Sequence, residues 1–166
     1  MAAVGPAAPE YQVKAQLLVN FATYATWPDK AFSSTNSPVV IGIAGKDPFG
    51  SFLEAAVEAN ARSQRAGRAL VVRRAGSEAE MKECHILFVA SSERRRWRDV
   101  RQRLKGAPVL TVGEFDDFLD QGGVINFLLK GQLVRFEISL ESAKAAGLRL
   151  DARLLSVADS VRGKYD

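Results

Sequence analysis

From Glu10 to Trp27 the apolar residues Val13, Leu17, Leu18, Phe21, Tyr24 and Ala25 recur at steps of three and four. Such steps put side chains on one stripe, so the segment is predicted to be an amphipathic helix. Pro28 is expected to end it, since proline restricts the preceding residue and cannot extend the hydrogen-bond ladder. Asp29 to Ser37 reads as a polar loop. The pattern then changes to a nearly unbroken apolar run, Val39 to Ala44, the mark of a strand covered on both faces. Asp47 is a good N-cap and Pro48 suits a first helical position. Phe49, Phe52, Leu53, Ala56 and Val57 then give the apolar face of a helix reaching about Ala61.

The alternation continues. Ala69 to Val72 reads as a second strand, and Ser77 with Glu80 makes a capping box for a short helix. His85 to Ala90 is a third strand, Ser91 and Ser92 can cap an arginine-rich helix reaching about Leu104, and Pro108 to Val112 is a fourth strand. Glu114 to Asp120 is expected to be a short helix. Val124 to Leu129 and Leu133 to Ile138 are β-rich runs joined by Lys130, Gly131 and Gln132, which predicts a hairpin. A helix from Leu140 to Ala146, stopped by Gly147, and a last helix from Ala152 to about Ser160 complete the chain. Strands alternating with helices call for a parallel sheet with helices on both sides. The expected fold is α/β: a single three-layer domain, its mostly parallel sheet flanked by helices and carrying an antiparallel C-terminal edge strand. Residues 1–9 are expected to be a flexible start, 10–160 the domain, and 161–166 a tail.

Composition narrows the function classes. The 166 residues suit one domain, and 47% hydrophobic with 25% charged residues is ordinary for a globular protein. No apolar run approaches the roughly 20 residues of a membrane-spanning helix. One cysteine and one histidine argue against an internal disulfide, a cysteine-rich zinc site or a Ser-His-Asp triad. Met1 to Pro9 has neither a charged n-region nor an apolar h-region, so it is not an intact secretory signal. It reads as the start of a chain whose signal has been removed, or of a trimmed one.

The net charge of +4 is unevenly spread. Residues 62–105 hold thirteen Lys and Arg against five Asp and Glu, whereas the segments before and after each net −2. A solvated helix face is the plain account of this band; an acidic partner or a lipid surface remains open. Nucleic acid is not expected, because Trp97, the one aromatic in the arginine-rich helix, sits on the apolar stripe with Val100 and Leu104.

Candidate chemistry is sparse. Gly42, Gly45 and Gly50 do not fit G-x-G-x-x-G, and Gly45-Lys46 is followed by Asp47 where a P-loop needs Ser or Thr. Cys84 and His85 are neighbours at the start of a strand, so their side chains point to opposite faces and do not easily hydrogen-bond each other; a packed thiol and a strand-end imidazole are expected over a nucleophile–base pair. Glu114, Asp116, Asp117 and Asp120 are read as a solvated face beside Phe115, Phe118 and Leu119. No catalytic residue, metal site or cofactor is expected.

Taken together, several segments resemble the YfiR family of YfiR/HmsC-like proteins. They are Glu10-Tyr11-Gln12-Val13-Lys14-Ala15 with Asn20-Phe21 and Trp27-Pro28; Ile41-Gly42-Ile43 with Asp47-Pro48-Phe49-Gly50; and Cys84-His85-Ile86-Leu87-Phe88-Val89 with Ser91-Ser92-Glu93-Arg94. Val109-Leu110-Thr111-Val112 and Gly122-Gly123-Val124-Ile125-Asn126-Phe127 follow, then Val134-Arg135-Phe136-Glu137-Ile138, Ala146-Gly147-Leu148 and Leu154-Leu155. The resemblance runs from about Glu10 to Ala158. It implies a periplasmic, non-enzymatic repressor that binds the sensor region of an inner-membrane diguanylate cyclase, lowering cyclic-di-GMP and biofilm formation. It also implies homodimers, and sequestration by an outer-membrane, peptidoglycan-binding lipoprotein. Relatives can carry several disulfide-forming cysteines. With Cys84 alone, this chain is not expected to use an internal disulfide; the thiol either pairs between chains or stays buried and inert.

A repressor of this kind works only by preferring the inactive sensor conformation. The candidate contact surface is the C-terminal unit: Arg135, Phe136, Glu137 and Ile138 on the edge strand, with Leu148 and Leu154. The competing account puts Val134, Phe136 and Ile138 in the core. An alternative function is a periplasmic small-ligand or anion sensor, with Ser91, Ser92 and Arg94 as contacts at the strand ends where open α/β sheets bind ligands.

Overall fold

A computed structural model describes residues 7–63 and 67–164. The first helix, α1 (Ala7–Tyr24), presents Ala15, Leu18, Val19 and Phe21 to the core. It ends three residues before Trp27. Ala25–Thr26 leaves the helix as a short strand, β1, and pairs antiparallel with β8 (Arg149–Leu150). Trp27 turns inward, its indole Nε1 donating to the His85 carbonyl at 3.0 Å. A tertiary pairing therefore sets this helix end, ahead of Pro28.

β2 (Val39–Ala44) is buried along its whole length, as its apolar run predicts. The helix expected from Phe49 starts later, as α2 (Phe52–Arg62). Asp47 spends its carboxylate on a local turn, accepting from the Phe49 backbone at 2.7 Å, and on an ion pair with Arg74 at 2.5 Å. Gly50 then takes φ +57°, a left-handed conformation that breaks any helix begun at Pro48. β3 (Leu70–Arg74) follows. The capping box forms as expected: Ser77 Oγ accepts from the Glu80 backbone N–H and opens α3 (Glu78–Lys82).

β4 (Ile86–Val89) leads into a 3₁₀ turn over Ser91–Arg96 and then α4 (Trp97–Leu104), with Trp97, Val100 and Leu104 buried. Neither Ser91 nor Ser92 caps it. After β5 (Leu110–Gly113) the expected helix at Glu114–Asp120 is absent; the chain runs in turns, with Asp117 at φ +68°. Packing explains this. The Phe118 ring stacks on Trp97 with centroids 4.6 Å apart and fills the space over Gly113 and Gly123, where a Cβ would fall within 2.4 and 2.2 Å of it. Anchoring that ring matters more than continuing a short helix.

β6 (Ile125–Lys130) and β7 (Leu133–Ser139) form the antiparallel hairpin, with Lys130 in register with Leu133. Lys130 belongs to the ladder, so the turn shrinks to Gly131 and Gln132. α5 (Leu140–Ala145) precedes β8, and Asp151 caps α6 (Ala152–Val157) by accepting from the Arg153 backbone at 2.8 Å. The last strand, β9 (Ser160–Arg162), lies parallel to β7.

The sheet order is β3-β2-β4-β5-β6-β7-β9, parallel from β3 through β6. One face carries α1, α2 and α6 over a core that includes Phe21, Ile41, Leu53, Phe88, Phe127, Ile138 and Leu154. The opposite face carries α3 and α4, with Met81, Leu87, Val89, Trp97 and Phe118. The predicted three-layer α/β fold is thus present, with β9 as a strand the sequence reading did not place. Of the expected flexible start, residues 1–6 lie outside the described residues and residues 7–9 form the first turn of α1. Of the expected tail, residues 161 and 162 belong to β9, and residues 165–166 lie outside the described residues.

Candidate partner-docking surface

The hairpin fixes which C-terminal residues can meet a partner. Successive strand residues point to opposite faces. Val134, Phe136 and Ile138 therefore face α1, and the Phe136 ring lies 5.2 Å from Phe21, edge to face. Phe136 is 5% exposed, Ile138 0%, and Leu148 and Leu154 3% each. These four candidate contact residues are core anchors, holding the hairpin, β8 and α6 onto the domain; the sequence reading took them for surface. Arg135 is exposed. Glu137 is half-buried and pairs at 3.5 Å with Arg162 of β9, which also meets Asp120 at 2.5 Å.

The sequence predicts β7 as the edge strand, but it is not the outermost one, because β9 pairs with Glu137–Ser139 and the Asp159 N–H donates to the Phe136 carbonyl at 2.8 Å. The outer side of Leu133–Arg135 has no neighbouring strand among the described residues. Leu129 (51% exposed) and Leu133 (64%) lie at this open half, and Val157 (61%) and Val161 (37%) are exposed on α6 and β9. Leu129 is in register with Val134, and Val161 with Ile138, so both share the α1 face of the sheet. Leu133 points the other way, at the hairpin tip. Apolar residues beside a tight turn were the available signal, but the pattern alone cannot separate a solvent-facing leucine from a core one.

The alternative anion site is arranged differently from its expectation. Ser91 Oγ donates to Glu114 Oε2 at 3.0 Å, and Ser92 Oγ accepts from the Lys46 backbone at 2.9 Å. Both hydroxyls are engaged, with a carboxylate where an anion would sit; Arg94 is exposed nearby in sequence. Glu114 is the residue sequence reasoning misread. Only 8% of its side chain is exposed, and it also accepts from Tyr11 Oη and from Lys14 Nζ, each at 3.0 Å. Lys14, 4% exposed, binds Glu10 at 2.5 Å as well. Burial and the neighbouring Glu114 carboxylate push the Tyr11 phenol well above its ordinary range. This network ties α1 to the end of β5.

Cys84 and His85 face opposite sides, as the strand period requires. Cys84 lies in the α3/α4 core, its thiol donating to the Glu80 carbonyl at 3.3 Å, and burial pushes it up to about 12. His85 stacks on Phe32 at 4.4 Å. Its Nδ1 accepts from the Val40 N–H at 3.0 Å and its Nε2 meets the Ala31 carbonyl at 2.8 Å, which fixes the neutral Nε2–H tautomer. Burial holds its pKa below the ordinary value. Beside it opens a groove of about 570 Å³ lined by Trp27, Phe32, Val39, Arg68 and Leu70. Arg68 stacks 3.6 Å over Phe32 and donates to the Ser34 and Ser37 carbonyls at 2.9 and 2.7 Å. Among the described residues no group of His, Cys, Asp and Glu could hold a metal ion.

The profile of one protein family, described as YfiR/HmsC-like, matches residues 11–159. The chain belongs to the YfiR/HmsC-like family. That membership supplies what geometry alone does not: the family is one of periplasmic regulators of diguanylate cyclase signalling, and its members are regulators rather than enzymes. Among curated proteins none matches this YfiR/HmsC-like chain. Two solved structures share its fold. One, a conserved domain protein from Vibrio cholerae O1 biovar eltor, has a TM-score of 0.58 at 11% identity over 92% of this chain and 60% of its own. The other, an ABC domain from Streptococcus pneumonia in complex with L-Trp, has 0.57 at 12% over 89% and 61%. The chain thus spans about three fifths of either. No helix of the described residues is long and apolar enough to cross a membrane.

Proposed function

We propose that this protein represses a membrane-bound diguanylate cyclase by docking its C-terminal unit onto the cyclase's periplasmic sensor region. One observation carries the reading. Of the five large apolar side chains exposed among the described residues, Leu129, Leu133, Val157 and Val161 belong to the C-terminal unit, the first two at the uncovered half of β7. Apolar anchors with a polar rim are what a protein interface needs, and Arg135 and Lys130 supply such a rim. The free backbone of Leu133–Arg135 could accept a partner strand. Repression follows if the docked unit binds the inactive sensor conformation more tightly than the active one. On this reading, cyclic-di-GMP output and biofilm formation fall while the complex persists. A homodimer, or an outer-membrane peptidoglycan-binding lipoprotein, would compete for the same apolar surface.

The test is calorimetry with the purified sensor domain of the cognate cyclase. Burying Leu129, Leu133 and Val157 is worth about 1–1.5 kcal/mol each, so Leu129→Ser, Leu133→Ser and Val157→Ser together should weaken binding by at least 100-fold. All three side chains are exposed, so the fold should survive. No complex between wild type and sensor at tens of micromolar, or unchanged affinity of the triple variant, would overturn the assignment.

The groove beside His85 favours a second reading, small-ligand sensing. Its lining of Trp27, Phe32, Val39 and Leu70 with the charged Asp29 and Arg68 suits a small organic molecule, and a distant structural relative was solved with L-Trp bound.

A further inference from the structure

Positive charge is densest in one helical segment. Ser91–Lys105 holds seven basic residues against two acidic ones, a net of +5, whereas the entire chain carries +4. Folding directs these charges unequally. Arg96 pairs with Glu93, Arg103 with Glu78 at 2.7 Å, and Arg101 donates to the Gly122 carbonyl at 2.9 Å. Asp99, the other acidic residue, lines the crevice against α3 together with Arg96, Arg103 and Glu78. Arg94, Arg95, Arg98 and Lys105 remain. They are exposed, and among the described residues their side chains make no ion pair and no hydrogen bond. Trp97 beneath them is fully buried, so their backbone is held by the core.

We propose that this face docks on a bilayer surface, its three free guanidiniums binding the phosphates of anionic phospholipid headgroups. A guanidinium fork matches a phosphate's paired oxygens and is weakly hydrated, so it gives up water cheaply. An acidic protein would be the rival partner. Stable protein interfaces need an apolar or aromatic anchor at their centre, and no large apolar residue of Ser91–Lys105 is exposed. A single-stranded nucleic acid would need exposed stacking rings, and Trp97 is buried. A headgroup layer needs neither, because its attraction is a sum over charges. α4 lies on the sheet face opposite α1 and α6. Leu129 and α6 face the other way, so lipid binding there does not depend on whether those elements contact a cyclase, and repressor and sensor would meet on a shared surface.

The experiment is vesicle co-sedimentation of the purified full chain in about 0.1 M salt. Vesicles of pure phosphatidylcholine are compared with vesicles containing 30 mol% phosphatidylglycerol. With about fivefold gained per basic residue at an anionic surface, wild type should partition about 100-fold more strongly onto the anionic vesicles. The R94Q/R95Q/R98Q variant should lose that factor. A matched control, K30Q/R62Q/K164Q, removes the same charge elsewhere and should keep it. Raising salt to 1 M should abolish the difference. Equal partitioning of wild type and R94Q/R95Q/R98Q, equal loss in the control, or binding to poly-glutamate without binding to anionic vesicles would each overturn the proposal. The cyclase reading is judged separately, by calorimetry in the absence of lipid.

Discussion

Replacing Glu114 by alanine removes the acceptor shared by Tyr11, Lys14 and Ser91. Lys14 then stays 4% exposed with Glu10 as its remaining counter-charge. Breaking a buried ion pair by deleting one partner costs about 3–5 kcal/mol, because the surviving charge is left uncompensated. Glu10 keeps part of that compensation, and the Ser91 hydroxyl can turn to water, so the lower end applies: about 3 kcal/mol. For a domain of this size that is roughly 6–12 °C in Tm. Urea unfolding of wild type, Glu114→Ala, Lys14→Met and the double variant would measure it. The double variant should be more stable than the sum of the single losses by at least about 1 kcal/mol, since it removes both charges together. The Tyr11 phenol offers an independent readout, because losing Glu114 should lower its pKa in an ultraviolet titration. A Glu114→Ala loss under about 1 kcal/mol, or strict additivity in the cycle, would refute the idea that α1 is fastened to β5 by this network.

Two further outcomes follow from buried groups. His85 has a folded pKa below its unfolded value, so the unfolded chain binds the extra proton. Its contribution to stability should be complete above about pH 6.5 and be lost as pH falls from there through the folded pKa, with a slope of at most about 1.4 kcal/mol per pH unit. Stability measured from pH 7.5 to 5 should show that decline, and His85→Gln should flatten it; an unchanged profile would remove His85 as its source. Cys84, pushed up to about 12, should resist a disulfide reagent at pH 8 in the native protein and react fully in guanidinium. Rapid native labelling would show the thiol to be accessible and reopen pairing between chains.

Local patterning was enough to specify much of this protein. The run Val39–Ala44 is buried on both faces, and that alone marks an inner strand of a parallel sheet. The capping box at Ser77 closes within four residues, so it too is visible in sequence. The burial of Trp97, Val100 and Leu104 follows from helical spacing, which leaves the arginines outside. The features that misled were set by contacts between distant residues. Ala25 leaves α1 because Leu150, 125 positions away, offers it a strand. The segment after β5 does not coil into a helix because Phe118 must stack on Trp97 between two glycines. Glu114 looks like part of a solvated acidic run, and becomes the buried partner of Lys14, 100 positions earlier. In β7, alternation shows two faces but cannot say which one meets α1, nor that β9 returns to cover half the edge. Hydrophobic period and turn chemistry act over a few residues and are written locally; which apolar residue stays in water depends on where the rest of the chain comes to lie.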